Sequence, residues 1–543
     1  MKHGGLASLR LHEGTGRLAV ERALRNPVLF DMSWAGVAAQ VTRRAAAEPD
    51  RTAVLADDRQ VSYQGLCHRA WQFRTILLDA GCGEGDRVAV AGDRGVDIIA
   101  AFLAVESIGA VYLPLDHAWP AARIAGVLRR SEPFCAIGLR ATGACASTLA
   151  SACAEAGVSL LAAPGSEVPP SVPAVPRSPE PDEPRYVIYT SGSTGQPKGA
   201  VATHQGMVNH LLSMVRTLGL SESDTIGFSA SPGYVISIWQ MLAALLVGGT
   251  VAVVSEADTQ FGRRLAGCLA RTQTTVAELV PTVIGWLAGE ARKHSAALPD
   301  LRCLISTGEK LDTGLAARVA EVFPGVELYN AYGSTECSDD VSLYRCQGTD
   351  LDRPQIPVGT PVPNAVLYLL VNEAGAWRPA DAGETGELFV GGAGVGLGYL
   401  DDPELTREAF FADPFDPDSP TGRLYRTRDL ARFENGLAHC LGRADRQVKI
   451  AGVRIELDEI EAVLTQVPGV EWCAVVAEQH NGQRQLAVHY VAEATVGQEV
   501  LYAVVRERLP AAMFPRRWAR LDSLPRNSSG KVDYRALAGP VHA

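Results

Sequence analysis

Short apolar runs alternate with longer helical patterns along most of the chain. "GDRVAVAG" reads as a buried strand, and "VDIIAAFLAVESIGAVYLPL" as a helix running into another strand. "GGTVAVV" and "LRCLISTG" repeat the theme, each after an apolar helical stretch. Strands that alternate with helices predict parallel sheets covered on both faces.

Two places interrupt this rhythm. Residues 162 to 185, "AAPGSEVPPSVPAVPRSPEPDEPR", carry too much proline for a helix or a central strand and read as an exposed connection into the apolar strand "YVIYT". A second change falls near residue 445. Beyond it Asp458 is placed to cap a helix with Leu457, Ile460, Leu464 and Val467 on one face. "VEWCAVVAEQ" and "QLAVHYVAEA" follow as strands and "EVLYAVVRERL" as a helix. The division is a large body, 1–444, whose first thirty residues are an extension of no evident role, and a compact α+β module, 445–543.

Composition narrows the class. The 543 residues are 47% hydrophobic and 20% charged, ordinary for a soluble protein, and the net charge of −11 argues against nucleic acid or an anionic membrane. Eleven cysteines without C-x-x-C or zinc spacing read as reduced, mostly buried thiols. With no signal-peptide pattern at the start and no stretch long enough to span a bilayer, the expected compartment is the cytoplasm.

Candidate chemistry concentrates in "YTSGSTGQPKG". Gly192 and Gly195 let backbone N–H groups turn inward, Thr190, Ser191, Ser193 and Thr194 add hydroxyls, and Lys198 adds charge. That is a phosphate grip, although the lysine does not fit the Walker pattern. In order the chain also carries "YLPLDHAWPAARI", "NAYGSTE", "GELFVGGAGVGLGYL", "YRTRDLARF", "GRADRQVKIAGVRIELDEIE", "LPAAMFP" and "NSSGKVDYRAL". The series resembles the adenylate-forming superfamily, most of all a stand-alone adenylation domain of the nonribosomal peptide synthetases. The resemblance implies an α/β fold: a large N-terminal body of sheets flanked by helices, with a small mobile α+β C-terminal domain.

It also implies roles. Lys531 would reach the α-phosphate of ATP and the substrate carboxylate; Glu336 would bind Mg²⁺, with Thr335 beside it contacting phosphate. Asp429, helped by Arg443, would hold the ribose, while Tyr332 stacks on adenine and Asn330 lies at its edge. Gly308, Glu309, Ala331, Gly333 and Ser334 would complete the nucleotide site. Asp445 matches a hinge that withdraws Lys531 and brings in the loop of Lys449 and Gly452, the glycine lining a pantetheine tunnel.

The acid pocket departs from the usual pattern. The resemblance places Tyr234, Val235, Ile236, Trp239, Glu278, Ile305, Thr307, Ala331, Asp339 and Asp340 around it. Domains for α-amino acids carry Asp where this chain has Val235, and a valine cannot compensate a buried ammonium. Glu278 interrupts an apolar strand, and acids at its position and that of Asp340 resemble domains that take basic side chains. Asp339 and Asp340 either join the pocket or point to solvent.

The expectation is an enzyme of natural-product biosynthesis that activates a β- or ω-amino acid, or another acid with a distal cation. The acyl group would pass to the phosphopantetheine of a separate carrier protein, with a small MbtH-like protein as a further partner. The chain ends at "GPVHA", which leads to the free-standing reading. Alternatives are an acyl-CoA ligase, an enzyme for α-amino, hydroxy, keto or aryl acids, and an idle homologue that acts as a binding protein.

Overall fold

The computed structural model describes residues 6–29, 36–56, 59–139, 144–165, 178–192, 196–294, 298–348, 350, 355–480, 483–526 and 532–538. Two largely parallel sheets form the body. One runs in the order Lys198–Thr203, Pro184–Thr190, Val111–Leu115, Arg87–Ala91, Cys135–Gly138, Leu160–Ala162, with Gly398–Tyr399 added at its first edge. The other has a parallel centre of Glu327–Ser334, Cys303–Ser306, Val276–Leu279, Thr225–Phe228, Thr250–Val253 and Thr52–Ala56, flanked by antiparallel edge strands.

Between these sheets lie helices that are apolar on all sides, as a helix packed between two sheets must be. Every residue from Ile98 to Ile108 of the helix Val96–Ile108 is buried, and ten residues of Ile236–Val247 are buried. Residues of both sheets, such as Val90 and Ile226, join one core with these helices. Separate clusters cover the outer faces, Leu265 and Leu287 on one side and Ile124 and Leu128 on the other.

A third sheet was not legible in the alternating pattern. It joins Phe410–Ala412, Arg423–Glu434, Gly386–Gly392, Ala365–Glu373 and Ala376–Pro379 as antiparallel neighbours. Two short N-terminal strands, Ala7–Ser8 and Leu24–Arg25, add to it, so part of the extension is built into the body.

Downstream, the hairpin Val448–Ile450/Val453–Ile455, the helices Leu457–Leu464 and Gln498–Arg508, and the strands Val470–His480 and Gln483–Ala492 share a core of their own. Two expectations need correction. The strand Pro184–Thr190 begins inside the proline-rich stretch and is central in its sheet; Pro184 is its first residue, where proline is tolerated. Asp458 does not cap its helix: Glu456 holds the N-cap position, and Asp458 sits in the first turn, paired with Arg446.

Candidate active site

Parallel sheets present their functional residues at the carboxyl ends of the strands, and both sheets do so here. The strand Pro184–Thr190 ends in the glycine loop, where the buried hydroxyl of Thr190 has no hydrogen-bond partner among the described residues. Gly192 must be glycine, since a Cβ would strike the Gln196 carbonyl. Ser193, Thr194, Gly195 and Lys531 lie outside the described residues. Lys198, first residue of the returning strand, brings its Nζ within 3.2 Å of Glu336 Oε1 and 3.0 Å of the Tyr399 hydroxyl. That hydroxyl donates to Glu336 Oε1 at 2.8 Å.

Arg454 completes this cluster, its Nη1 lying 3.0 Å from both oxygens of Glu336. Burial opposes charge on Glu336, but Arg454, Lys198 and the Tyr399 hydroxyl outweigh it and hold the carboxyl far below the usual range. Burial, reinforced by Arg454, lowers Lys198 to about 8 against the pull of Glu336.

A second group lies across the antiparallel sheet. Asp429 accepts from the Tyr332 hydroxyl at 2.6 Å and from Arg443 Nη1 at 2.8 Å. Arg443 turns its Nε and Nη2 to Asp445, at 2.7 and 2.8 Å, so one guanidinium joins the two carboxylates. Asn330 is buried and donates to the Pro357 carbonyl at 2.8 Å. Lys449 is half-buried near Asp429, Arg443 and Arg454, and burial lowers its pKa against the pull of Asp429.

The hairpin carrying Lys449 and Arg454 is docked into the site. Ser191 Oγ donates to the Arg454 carbonyl at 2.8 Å, the Gly192 amide to Glu459 Oε2 at 3.3 Å, and Arg123 pairs with Glu459 at 2.6 Å in a buried bridge. At the hairpin tip the Gly452 amide donates to Glu309 Oε1 at 2.9 Å. Gly452 has φ +78°, and a Cβ there would overlap Val280. Gly308 faces it, φ +80°.

Most of the residues expected around the acid are buried, in the central core or in a polar cluster beside it. Trp239, Ile305 and Ala331 belong to the central core, with Val235 and Ile236 packed against them. Tyr234 stays outside that cluster and is 37% exposed. Glu278 is buried at the end of the strand Val276–Leu279, accepts from Trp239 Nε1 and contacts Asp340. Thr307 donates to Asp340 at 3.3 Å. Both Asp339 and Asp340 are buried, so the solvent-facing alternative is excluded. Burial, then Asp340 and Asp339, pushes Glu278 well up; burial and Asp340 do the same to Asp339, and burial raises Asp340 to about 6.

Comparison with known proteins fits this geometry. The AMP-binding enzyme family matches residues 41–400, and the AMP-binding enzyme C-terminal domain matches 459–531. The chain belongs to the AMP-binding enzyme family. It is 34% identical over 509 residues to a dimodular nonribosomal peptide synthase of Bacillus subtilis (strain 168), covering 92% of this chain and 20% of the relative. It is 33% identical over 519 residues to a delta-poly-L-ornithine synthetase of Acinetobacter baumannii (strain AB307-0294), covering 95% and 37%. The chain thus spans well under half the length of these relatives. Among solved structures, holo-PA1221, an NRPS protein containing adenylation and PCP domains bound to vinylsulfonamide inhibitor, superposes with a TM-score of 0.80 at 26% identity, covering 93% and 84%. The family, the adenylate-forming fold and the likeness to synthetase adenylation domains are therefore plain.

Within this family member, four site residues escaped the sequence reading. Arg454 lies inside a quoted motif, but its charge gave no sign of reaching Glu336. Tyr399 is the penultimate residue of "GGAGVGLGYL" and has no polar residue next to it in sequence to flag it. Glu459 sits in "LDEIE", where a helix surface explains an acid equally well. His210 lies on the helix His204–Thr217, and nothing local sets it apart from a surface histidine.

Proposed function

We propose that this enzyme activates a carboxylic acid carrying a cation away from its α-carbon as an acyl adenylate, then passes the acyl group to the phosphopantetheine thiol of a separate carrier protein. In the first step a carboxylate oxygen attacks the α-phosphorus of ATP, and the bond to pyrophosphate breaks. In the second the thiol sulfur attacks the acyl carbon, AMP leaves with the bonding pair, and the thiol proton passes to solvent. Both steps depend on placing charge and orienting reactants rather than on a covalent enzyme intermediate.

Thr190, Ser191, Gly192 and Lys198 are suited to grip the departing phosphates, and the Asp429–Arg443 pair to orient the ribose. Glu336 fits magnesium, a hard cation that takes carboxylate oxygen and keeps several non-protein ligands; bound there, the ion would offset phosphate charge. Lys531 is the proposed cation at the reacting carboxylate. Gly452 and Gly308 face one another with left-handed backbones, where the resemblance would have the thiol arm pass.

One observation carries the choice of acid: three carboxyl groups, Glu278, Asp339 and Asp340, are buried together, and the resemblance puts Val235 where an α-ammonium would need an acid. Burying such groups is unfavourable unless a cation arrives to meet them. The delta-poly-L-ornithine relative is consistent with a basic acid.

The acceptor is tested by mixing enzyme, ATP and acid with a holo carrier protein or with free coenzyme A. The expected result is acyl-carrier formation at least about tenfold faster than acyl-CoA formation. Efficient transfer to coenzyme A alone would replace the carrier by a ligase reading.

A further inference from the structure

We propose that the acid pocket holds two cationic groups at once, making the substrate a diamino acid or an amino-guanidino acid. One cation sits between Glu278 and Asp340, the other on Asp339 beside His210. This rests on the distal-cation reading above and adds a second subsite to it.

Four buried polar atoms from three elements meet here without partners among the described residues: Glu278 Oε1, Asp340 Oδ2, Asp339 Oδ2 and His210 Nε2. Each belongs to a residue no more than 6% exposed. Ligand atoms of His210, Asp339 and Asp340 lie within 4.8 Å of one another, and His210 Nε2 is 3.4 Å from Asp339 Oδ2. His210 Nδ1 is 3.3 Å from the Asp340 carbonyl, which fixes the ring and leaves Nε2 facing Asp339. On the opposite side Asp340 meets Glu278 and Thr307.

Charge counting separates one cation from two. Glu278 and Asp340 are in contact, so one proton shared between them leaves a single negative charge, enough for one cation. Asp339 is a third carboxyl: burial and Asp340 push its pKa well up, and an ammonium arriving beside it would restore its charge. His210 does not cancel it, because burial lowers the imidazole to about 4 and keeps it neutral. Lys449 acts on Asp340 from the docked hairpin, but Asp429 already draws its charge. A buried carboxylate whose neighbour is a neutral imidazole therefore lacks a counter-charge, which a second ammonium supplies while donating to His210 Nε2.

The backbone supports the assignment. Ser338 and Asp339 both have positive φ, 62° and 109°, a costly conformation for residues with side chains. It follows one residue after Glu336, beyond Cys337, and leads into Asp340, with both aspartates buried.

The test uses acids of one chain length: 3,6-diaminohexanoate, 6-aminohexanoate and 3-aminohexanoate, with the full-length enzyme in ATP–pyrophosphate exchange. The diamino acid should exceed both monoamino acids in kcat/KM by at least about tenfold, since a buried charge left unmatched is penalised heavily. Asp339→Asn should reduce that advantage over one monoamino acid to about threefold or less. His210→Gln, which keeps an acceptor, should preserve more of the advantage than His210→Leu, a ranking that a merely structural role would not produce. Equal use of diamino and monoamino acids overturns the second subsite and leaves the distal-cation reading intact. Failure of all three, with activity only on neutral acids, removes both. A tightly held metal ion in the purified enzyme, lost in Asp339→Asn, would overturn the proposal by making the cluster a metal site.

Discussion

Arg454 Nη1 lies 3.0 Å from each carboxylate oxygen of Glu336. A residue of the C-terminal hairpin thereby engages both oxygens that magnesium would use during adenylation. If Glu336 holds magnesium as proposed, the docked Arg454 would compete with the ion for the same carboxylate, and that competition would couple the first step to the second.

Removing that guanidinium should separate the two steps. In Arg454→Ala, Glu336 keeps Lys198 and Tyr399, so the body should fold and exchange pyrophosphate within about threefold of the parent. Loss of one partner of a buried pair weakens the docked arrangement by up to roughly 3 kcal/mol, so acyl transfer should fall up to about 100-fold. Single-turnover measurement of adenylate formation and of AMP release on adding the thiol acceptor checks this; equal losses in both would remove the coupling.

Gly452 offers an independent handle on the same arrangement. A side chain there meets Val280 and must adopt a left-handed backbone, which costs roughly 1–2 kcal/mol. Gly452→Val should leave adenylation near normal and slow acyl transfer by at least about tenfold. Pairing Gly452→Ala with Val280→Ala should recover only the part due to the clash.

The acid pocket is probed by Glu278→Gln, which retains an acceptor for Trp239 but removes the charge. We expect kcat/KM for a cationic acid to drop about 30-fold and that for a neutral acid of similar size only a few-fold, matching roughly 2 kcal/mol for a lost charge-assisted bond. Pyrophosphate exchange with the two acids reads the difference directly. Parallel losses would show that Glu278 serves packing alone.

The pH profile follows from Asp340, raised to about 6 by burial against the influence of Glu278, Thr307 and Lys449. Below that pH the carboxyl binds a proton and loses its attraction for an ammonium; above it the charge is present. For a cationic acid kcat/KM should therefore fall as pH drops through about 6 and level off above 7. A neutral acid should not show this inflection, nor should Asp340→Asn with the cationic one. Glu278, Asp339, His210 and Lys449 face the same group, so the profile belongs to the cluster.

Much of this was legible in the sequence because local chemistry dictated it. Strands such as Arg87–Ala91 are short apolar runs next to long apolar helices, and that pattern has few other solutions. The composition of the glycine loop itself favours phosphate, whereas Glu336 and Asp429 took their expected roles from the resemblance of the motifs around them. The antiparallel sheet was hidden because its strands, such as Arg423–Glu434, mix charged and apolar residues and pair over long separations. Arg454 and His210 were hidden for a related reason: each acquires meaning only from a carboxylate far away in sequence, Glu336 or Asp339. Asp458 misled because an acid before an apolar run looks the same as a cap or as a first-turn partner.

Pyrophosphate exchange over a panel of α-, β- and ω-amino acids, alongside neutral acids of matched size, bears most directly on the central claim. Strong turnover with acids whose cation lies beyond the α-carbon, weak turnover with simple α-amino acids, and a gain for α-amino acids in Val235→Asp are the expected results. Preference for an ordinary α-amino acid by the unaltered enzyme would contradict the account.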